Sequence, residues 1–205
     1  MSKINLYDTL QSSYGNKKAD MNLEKKGYIK DKKLSNHNQQ VWYNPNGKDL
    51  MVNITGSHNP YDFAINDVAL AFGSLKSTDR YKEADKVLKK AKKFYQPKNT
   101  IISGHSLGSS IGAGIASKSD KFVGLDAGYT IGQKTRSNNG KHENYRTSGD
   151  VVSILGSGAK NMQTLKAPKN TFIEDVANKL TAGIYNAYKA HTDFSNIRDK
   201  QIRIR

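Results

Sequence analysis

Apolar positions in this chain follow two rhythms. From residue 78 to 95, Tyr81, Ala84, Leu88, Ala91 and Tyr95 recur at spacings of three and four, with Val87 and Phe94 beside them. Lys82, Lys86, Lys89, Lys90, Lys92 and Lys93 fill the opposite face, so the stretch predicts an amphipathic helix that starts at Thr78-Asp79 and stops before Pro97. Thr171 and Glu174 form a capping box, and the helix they open carries Ile173, Val176, Leu180, Ile184 and Tyr188 on one face. A third, more ragged helix is expected over 61–72, with Phe63, Val68 and Phe72. The other rhythm is short and continuous. Residues 40–43 and 50–54 read as strands, and Asn44-Pro45-Asn46-Gly47 between them is a turn, which predicts a hairpin. Thr100-Ile101-Ile102 is an apolar run with β-branched residues, and 121–127 reads as the next buried parallel strand. Residues 144–147 and 151–155 flank the turn Ser148-Gly149-Asp150, the stretch 132–142 is a Gly- and Asn-rich loop, and 194–205 is a last strand or an extended end. Strands alternating with helices predict an α/β fold, a three-layer sandwich around a mostly parallel sheet. Residues 39–205 form that domain. Residues 1–38 are polar and lysine-rich, with scattered Leu10, Tyr14, Leu23, Tyr28 and Ile29, and read as a basic N-terminal extension lying over the body or hanging from it as an arm.

The strand at 100–102 runs into Gly104-His105-Ser106-Leu107-Gly108, and small residues follow to Ser117 with Ile111 and Ile115 on one helical face. Strand, sharp turn and helix with a serine at the apex is the setting of the G-x-S-x-G nucleophile elbow. Gly104 and Gly108 leave room for the serine backbone and the crossing helix. The helix start turns backbone N–H groups toward the place where an oxyanion would form.

A serine becomes a nucleophile when a base takes its proton, and the base works best when a carboxylate fixes its tautomer. Of the five histidines, His37 and His58 precede the serine, His105 sits inside the elbow and points away from it, and His142 falls in the loop before the acid. His191 follows both partners, near the end of a helix. Ser106, Asp150 and His191 therefore supply the order Ser…Asp…His of the α/β-hydrolases. Asp126, at the end of the preceding strand, is the rival acid, and Asp150 is preferred. Ser57, in the loop leaving the strand at 50–54, is either a second oxyanion donor or an ordinary strand end that caps the next helix.

These residues resemble the class 3 lipase family, the fungal triacylglycerol lipase type. The resemblance spans residues 40–195 and rests on Thr55-Gly56-Ser57, Tyr61-Asp62-Phe63 with Asp67, Gly104-His105-Ser106-Leu107-Gly108-Ser109, Gly149-Asp150-Val151-Val152 and His191. It implies an α/β-hydrolase fold and hydrolysis of carboxylic esters of lipids, with Ser106 as nucleophile, Asp150 and His191 as its partners, and Ser57 and Leu107 as oxyanion donors. Thr55 stands where the family usually has arginine, Phe63 where tryptophan is common and Ser109 where a second glycine is common. The short body offers no clearly apolar lid, which favours soluble esters or headgroup-bearing lipids over neutral triglyceride.

Composition narrows the rest. No apolar run approaches the roughly 20 residues of a membrane span, and the N-terminus has no apolar signal core, so the expected setting is intracellular or membrane-peripheral. Cysteine is absent, and neither a metal nor a cofactor is called for by the motifs. The net charge of +15 comes mostly from lysine, since arginine supplies six of the 33 basic residues. A lysine excess draws a protein to anionic lipid surfaces without providing base readout, so specific nucleic-acid binding is not expected. The alternative to an enzyme is a lipase-like module that binds a membrane or an assembly without catalysis.

Overall fold

The computed structural model describes residues 3–58, 75–128, 141–148, 150, 162–166 and 191–204. The helices expected at 61–72 and after Thr171, the strand at 151–155 and nearly all of the loop 132–142 lie outside the described residues. Along the described chain, β1 (Lys3–Asn5) leads into α1 (Leu6–Ser13), α2 (Lys17–Lys25) and β2 (Ile29–Lys30). The hairpin β3 (Gln39–Asn44) and β4 (Asp49–Ile54) follows, then α3 (Asp79–Tyr95), β5 (Asn99–His105), α4 (Leu107–Ile115) and β6 (Lys121–Leu125). β7 (His142–Thr147), β8 (Met162–Leu165) and β9 (Gln201–Arg203) complete the set, so His142 opens a strand rather than closing a loop.

Among the described residues, seven strands form one sheet in the order β2-β3-β4-β5-β6-β7-β8. The first two pairings are antiparallel and β4 through β8 run parallel. β5, which ends at the elbow, is the middle strand. Both faces of the sheet are covered, and neighbouring residues of one strand serve opposite layers. Val41, Leu50, Val52, Ile102 and Phe122 pack with Leu88 of α3 and Ile111 of α4. Trp42, Met51, Ile101 and Val123 pack with Leu6, Leu10, Leu23, Phe194 and Ile202. This is a three-layer α/β sandwich with a mostly parallel sheet. Thr78 caps α3 by accepting the Tyr81 N–H, and Gln96 closes the helix with φ of 44°.

Residues 3–25, with the segment 194–204, build the second layer. Asn5 and Asn16 cap α1 and α2 through their side-chain oxygens. β1 pairs antiparallel with β9, joining the two ends of the described chain. Leu6 and Leu10 are fully buried beneath the sheet, which leaves no slack for an arm. Leu10→Ala is expected to cost about 2–5 kcal/mol of stability through lost transfer energy and the cavity left behind. Chemical denaturation monitored by circular dichroism would measure it; an unchanged midpoint would show that α1 adds nothing to the folded core.

Candidate active site

The site lies at the carboxyl ends of the middle strands. β5 hands over to α4 through Ser106, whose φ of 55° and ψ of −124° are open to few residues other than glycine. The turn survives because its surroundings over-determine it. The Ser106 N–H donates to Leu125 O on β6 at 2.9 Å, and Ser106 O accepts the Ser110 N–H one turn into α4. α4 also crosses very close to the sheet. A Cβ on Gly104 would stand 2.4 Å from Gly108 O, and one on Gly108 would stand 2.3 Å from Ile54 O. The apex side chain is buried, and Ser106 Oγ has no hydrogen-bond partner among the described residues. Leu107 opens the helix, so its N–H belongs to the first turn, where N–H groups have no intrahelical acceptor.

His191 and Asp150 arrive from distant parts of the chain and meet at the elbow. His191 Nδ1 is hydrogen-bonded to Asp150 Oδ2, and both residues are buried. The His191 ring lies against that of His105, with centroids 4.4 Å apart. Asp126 is close as well. It sits at the end of β6 with φ of 51°, the second non-glycine residue of the site in a strained conformation. Its carboxylate accepts the Thr147 N–H at 2.5 Å and the Thr147 hydroxyl at 2.8 Å, not the imidazole of His191. Burial above all, and then the Asp150 carboxylate, push the Asp126 carboxyl up to about 7, against the pull of His191 and the Thr147 donors. One potential ligand atom each from His105, Asp126 and His191 lies within 4.8 Å of the others. Both Asp126 oxygens and both His105 nitrogens already have hydrogen-bond partners in the protein.

His105, inside the elbow, has a different task from the one its position suggests. Its Nε2 bonds the His191 carbonyl at 2.9 Å while Nδ1 bonds Tyr14 Oη at 2.7 Å. A carbonyl can only accept, so Nε2 carries a proton. Burial, followed by the neighbouring His191, holds the His105 imidazole well below its ordinary 6.5. The ring is therefore neutral, and Nδ1 accepts from the tyrosine. Tyr14 Oη in turn accepts the Gly56 N–H at 3.0 Å. A continuous path thus runs from the backbone of the Gly56 loop, through a tyrosine of the first helical hairpin, to the backbone of His191. Ser57, the next residue of that loop, is buried.

Sequence reasoning named Ser106, Asp150, His191, Ser57, Leu107, Gly104, His105 and Gly108, and the structure brings them to one end of the sheet. Tyr14 and Thr147 were missed. Tyr14 was visible only as one of several scattered apolar residues, and nothing local marks it as a partner of a residue 91 positions away.

Comparison with solved structures names the architecture. The chain has a class 3 lipase-like fold. It superposes on a triacylglycerol lipase whose catalytic centre is described as a serine protease triad, with a TM-score of 0.60 at 12% identity, covering 94% of this chain and 93% of that one. It also matches a Rhizomucor miehei lipase in complex with its propeptide (TM-score 0.53, 13% identity, 78% of this chain and 66% of that one). A Penicillium cyclopium variant of MDLA gives a TM-score of 0.51 at 12% identity, covering 80% and 76%. No protein-family model and no curated protein matches the sequence. Among the described residues, no helix of this lipase-like chain is long and apolar enough to cross a membrane.

Two measurements follow from the hydrogen-bond path. Tyr14→Phe removes one hydroxyl and leaves the Gly56 N–H and His105 Nδ1 without it, so stability should fall by about 1–3 kcal/mol in denaturant titration; no change would mean that the path carries no load. His105 should also show the neutral Nε2–H tautomer by NMR at and below pH 6.5. The unfolded chain takes up a proton near 6.5 that the folded chain refuses, so His105 withdraws stability as pH falls below that value, whereas Asp126, whose carboxyl is raised to about 7 in the folded chain, adds stability as pH falls below 7. His142, buried and also held below 6.5, acts in the same direction as His105. His105→Gln should remove the His105 share of the pH slope, and an unaltered slope would refute the assignment.

Proposed function

We propose that this protein is a serine carboxylic-ester hydrolase acting on lipids, working through an acyl-enzyme on Ser106. The observation that carries the reading is the convergence at the elbow. A buried serine is held in a strained turn at the head of α4, and its chain neighbour His105 lies against the ring of a buried His191 whose Nδ1 is tied to Asp150. The resemblance in fold to triacylglycerol lipases supports the choice of ester over amide substrates.

In this reading Asp150 accepts from His191 Nδ1, which leaves Nε2 to take the proton of Ser106 Oγ as the oxygen attacks the ester carbonyl. The negative charge on the former carbonyl oxygen is met by the N–H groups of Leu107, at the head of α4, and Ser57. Collapse expels the alcohol, protonated by His191, and leaves the acyl group on Ser106. Water, activated by the same imidazole, then releases the fatty acid and restores the serine. Asp126 is not hydrogen-bonded to the base. Its negative charge, when present, would favour the imidazolium from a second direction, since it is electrostatically coupled to His191 and Asp150. Burial of the whole cluster strengthens each of these interactions, because the local dielectric is low.

The excess of lysine suits approach to an anionic lipid surface, with solvated charge on α3 as the plain alternative. The test is labelling with a fluorophosphonate probe, wild type against Ser106→Ala, followed by p-nitrophenyl esters and a phospholipid panel. Labelling should vanish in the variant, and ester turnover should drop by about 10⁴-fold or more while the fold is kept. Folded wild-type protein that does not label, with or without anionic vesicles, would sink the reading in favour of a binding module.

A further inference from the structure

The loop that carries Ser57 is gripped from outside by an arginine. Arg80, in the first turn of α3, sends Nη2 to Thr55 O at 2.7 Å and to Gly56 O at 3.4 Å, and Nη1 to Gly56 O at 3.3 Å. Nη2 also reaches Thr55 Oγ1 at 3.3 Å. One guanidinium thus holds two successive carbonyls on the same side of the backbone. A peptide unit is planar and trans, so its C=O and the N–H that follows point in opposite directions. Fixing Thr55 O toward Arg80 turns the Gly56 N–H away from it, and the Gly56 N–H is indeed found on Tyr14 Oη. By the same geometry, fixing Gly56 O toward Arg80 turns the Ser57 N–H to the side of Tyr14 and the elbow. That side is where Ser106 lies, since a Cβ on Gly56 would stand 3.0 Å from Ser106 Cβ.

We infer that Arg80 is a positioning residue for oxyanion stabilisation: its grip on the Thr55 and Gly56 carbonyls aims the Ser57 N–H at the reacting carbonyl oxygen. The inference rests on the proposed ester hydrolysis. The residue type agrees with it. Arg80 is one of six arginines among 33 basic residues, in a helix whose other cations are all lysines. Two carbonyls held side by side call for the flat fork of a guanidinium, which a single ammonium does not reproduce. A positive charge on Gly56 O also polarises the Gly56–Ser57 peptide and strengthens its N–H as a donor. Neither Arg80 nor Tyr14 is assigned any contact with substrate.

The decisive experiment measures kcat and KM for a short p-nitrophenyl ester with wild type, Arg80→Ala and Arg80→Lys, alongside fluorophosphonate labelling rates. Arg80→Ala is expected to lower kcat and the labelling rate by about 10- to 100-fold with KM changed less than about threefold, because a displaced oxyanion donor weakens the transition state and not the ground state. Guanidinium ion added to the assay should restore part of the Arg80→Ala activity and leave wild type unaffected. If Arg80→Ala does not fold, the same kcat loss in folded Arg80→Lys supports the inference, and wild-type kcat in that variant overturns it. Unchanged kcat in folded Arg80→Ala, or a loss confined to KM, also overturns it while Ser106 labelling of the wild type still stands. An absence of wild-type labelling is a distinct result, and it removes the ester-hydrolase reading together with this one.

Discussion

Helix α4 crosses β5 and the end of β4 at a distance that admits no side chain at residues 104 and 108. Everything at the site depends on that approach. It allows β5 to turn directly into the helix with Ser106 at the apex, in a backbone conformation that costs on the order of 1–3 kcal/mol for a residue with a Cβ. Hydrogen bonds to Leu125 and Ser110, and the apolar contacts of Ile111 beneath the helix, hold the strained residue in place. The same approach sets the start of α4 against the Ile54 and Thr55 backbone, so Leu107, at the head of α4, and Ser57, in the loop after β4, reach the site together.

Around the serine, the fold concentrates buried ionisable groups and arranges them so that their demands differ. His105 is kept neutral by burial and serves as a rigid spacer, with a fixed tautomer, between Tyr14 and the main chain of His191. Asp150 takes the His191 ring, and Asp126 is turned to Thr147 instead. Burial first, and then repulsion from the Asp150 carboxylate, raise the affinity of Asp126 for protons. Sorting the two acids by their hydrogen-bond partners gives the imidazole a single acid to pair with.

The N-terminal hairpin of helices joins this arrangement from the far side of the sheet. Leu6 and Leu10 seat α1 under the central strands, and that seating carries Tyr14 to the Gly56 peptide. Arg80 reaches the same loop from the opposite side. Three segments far apart in sequence therefore converge on the loop next to Ser57, and its geometry follows from the packing of both outer layers.

Local signals in the sequence determined the pieces whose cause is local. Asn44-Pro45-Asn46-Gly47 makes a hairpin because turn chemistry acts within four residues, and α3 shows its lysine face and Thr78 cap because helical neighbours are three or four apart. The elbow is legible for the same reason: glycines at fixed offsets from a serine, between an apolar strand and a run of small residues. The order of Ser106, Asp150 and His191 could be read and made Asp150 the preferred acid, but it left Asp126 as a rival. Asp126 and Asp150 both end strands, and only the course of β6 and β7 turns one to Thr147 and leaves the other at His191. Residues 1–38 looked like a basic extension, since their few apolar positions carry no strong period. Their place under the sheet is set by the β1–β9 pairing, across almost the whole chain. Tyr14 and Arg80 act at the Gly56 loop through contacts 42 and 24 residues apart, and separations of that length leave no periodic trace; tertiary packing alone decides them.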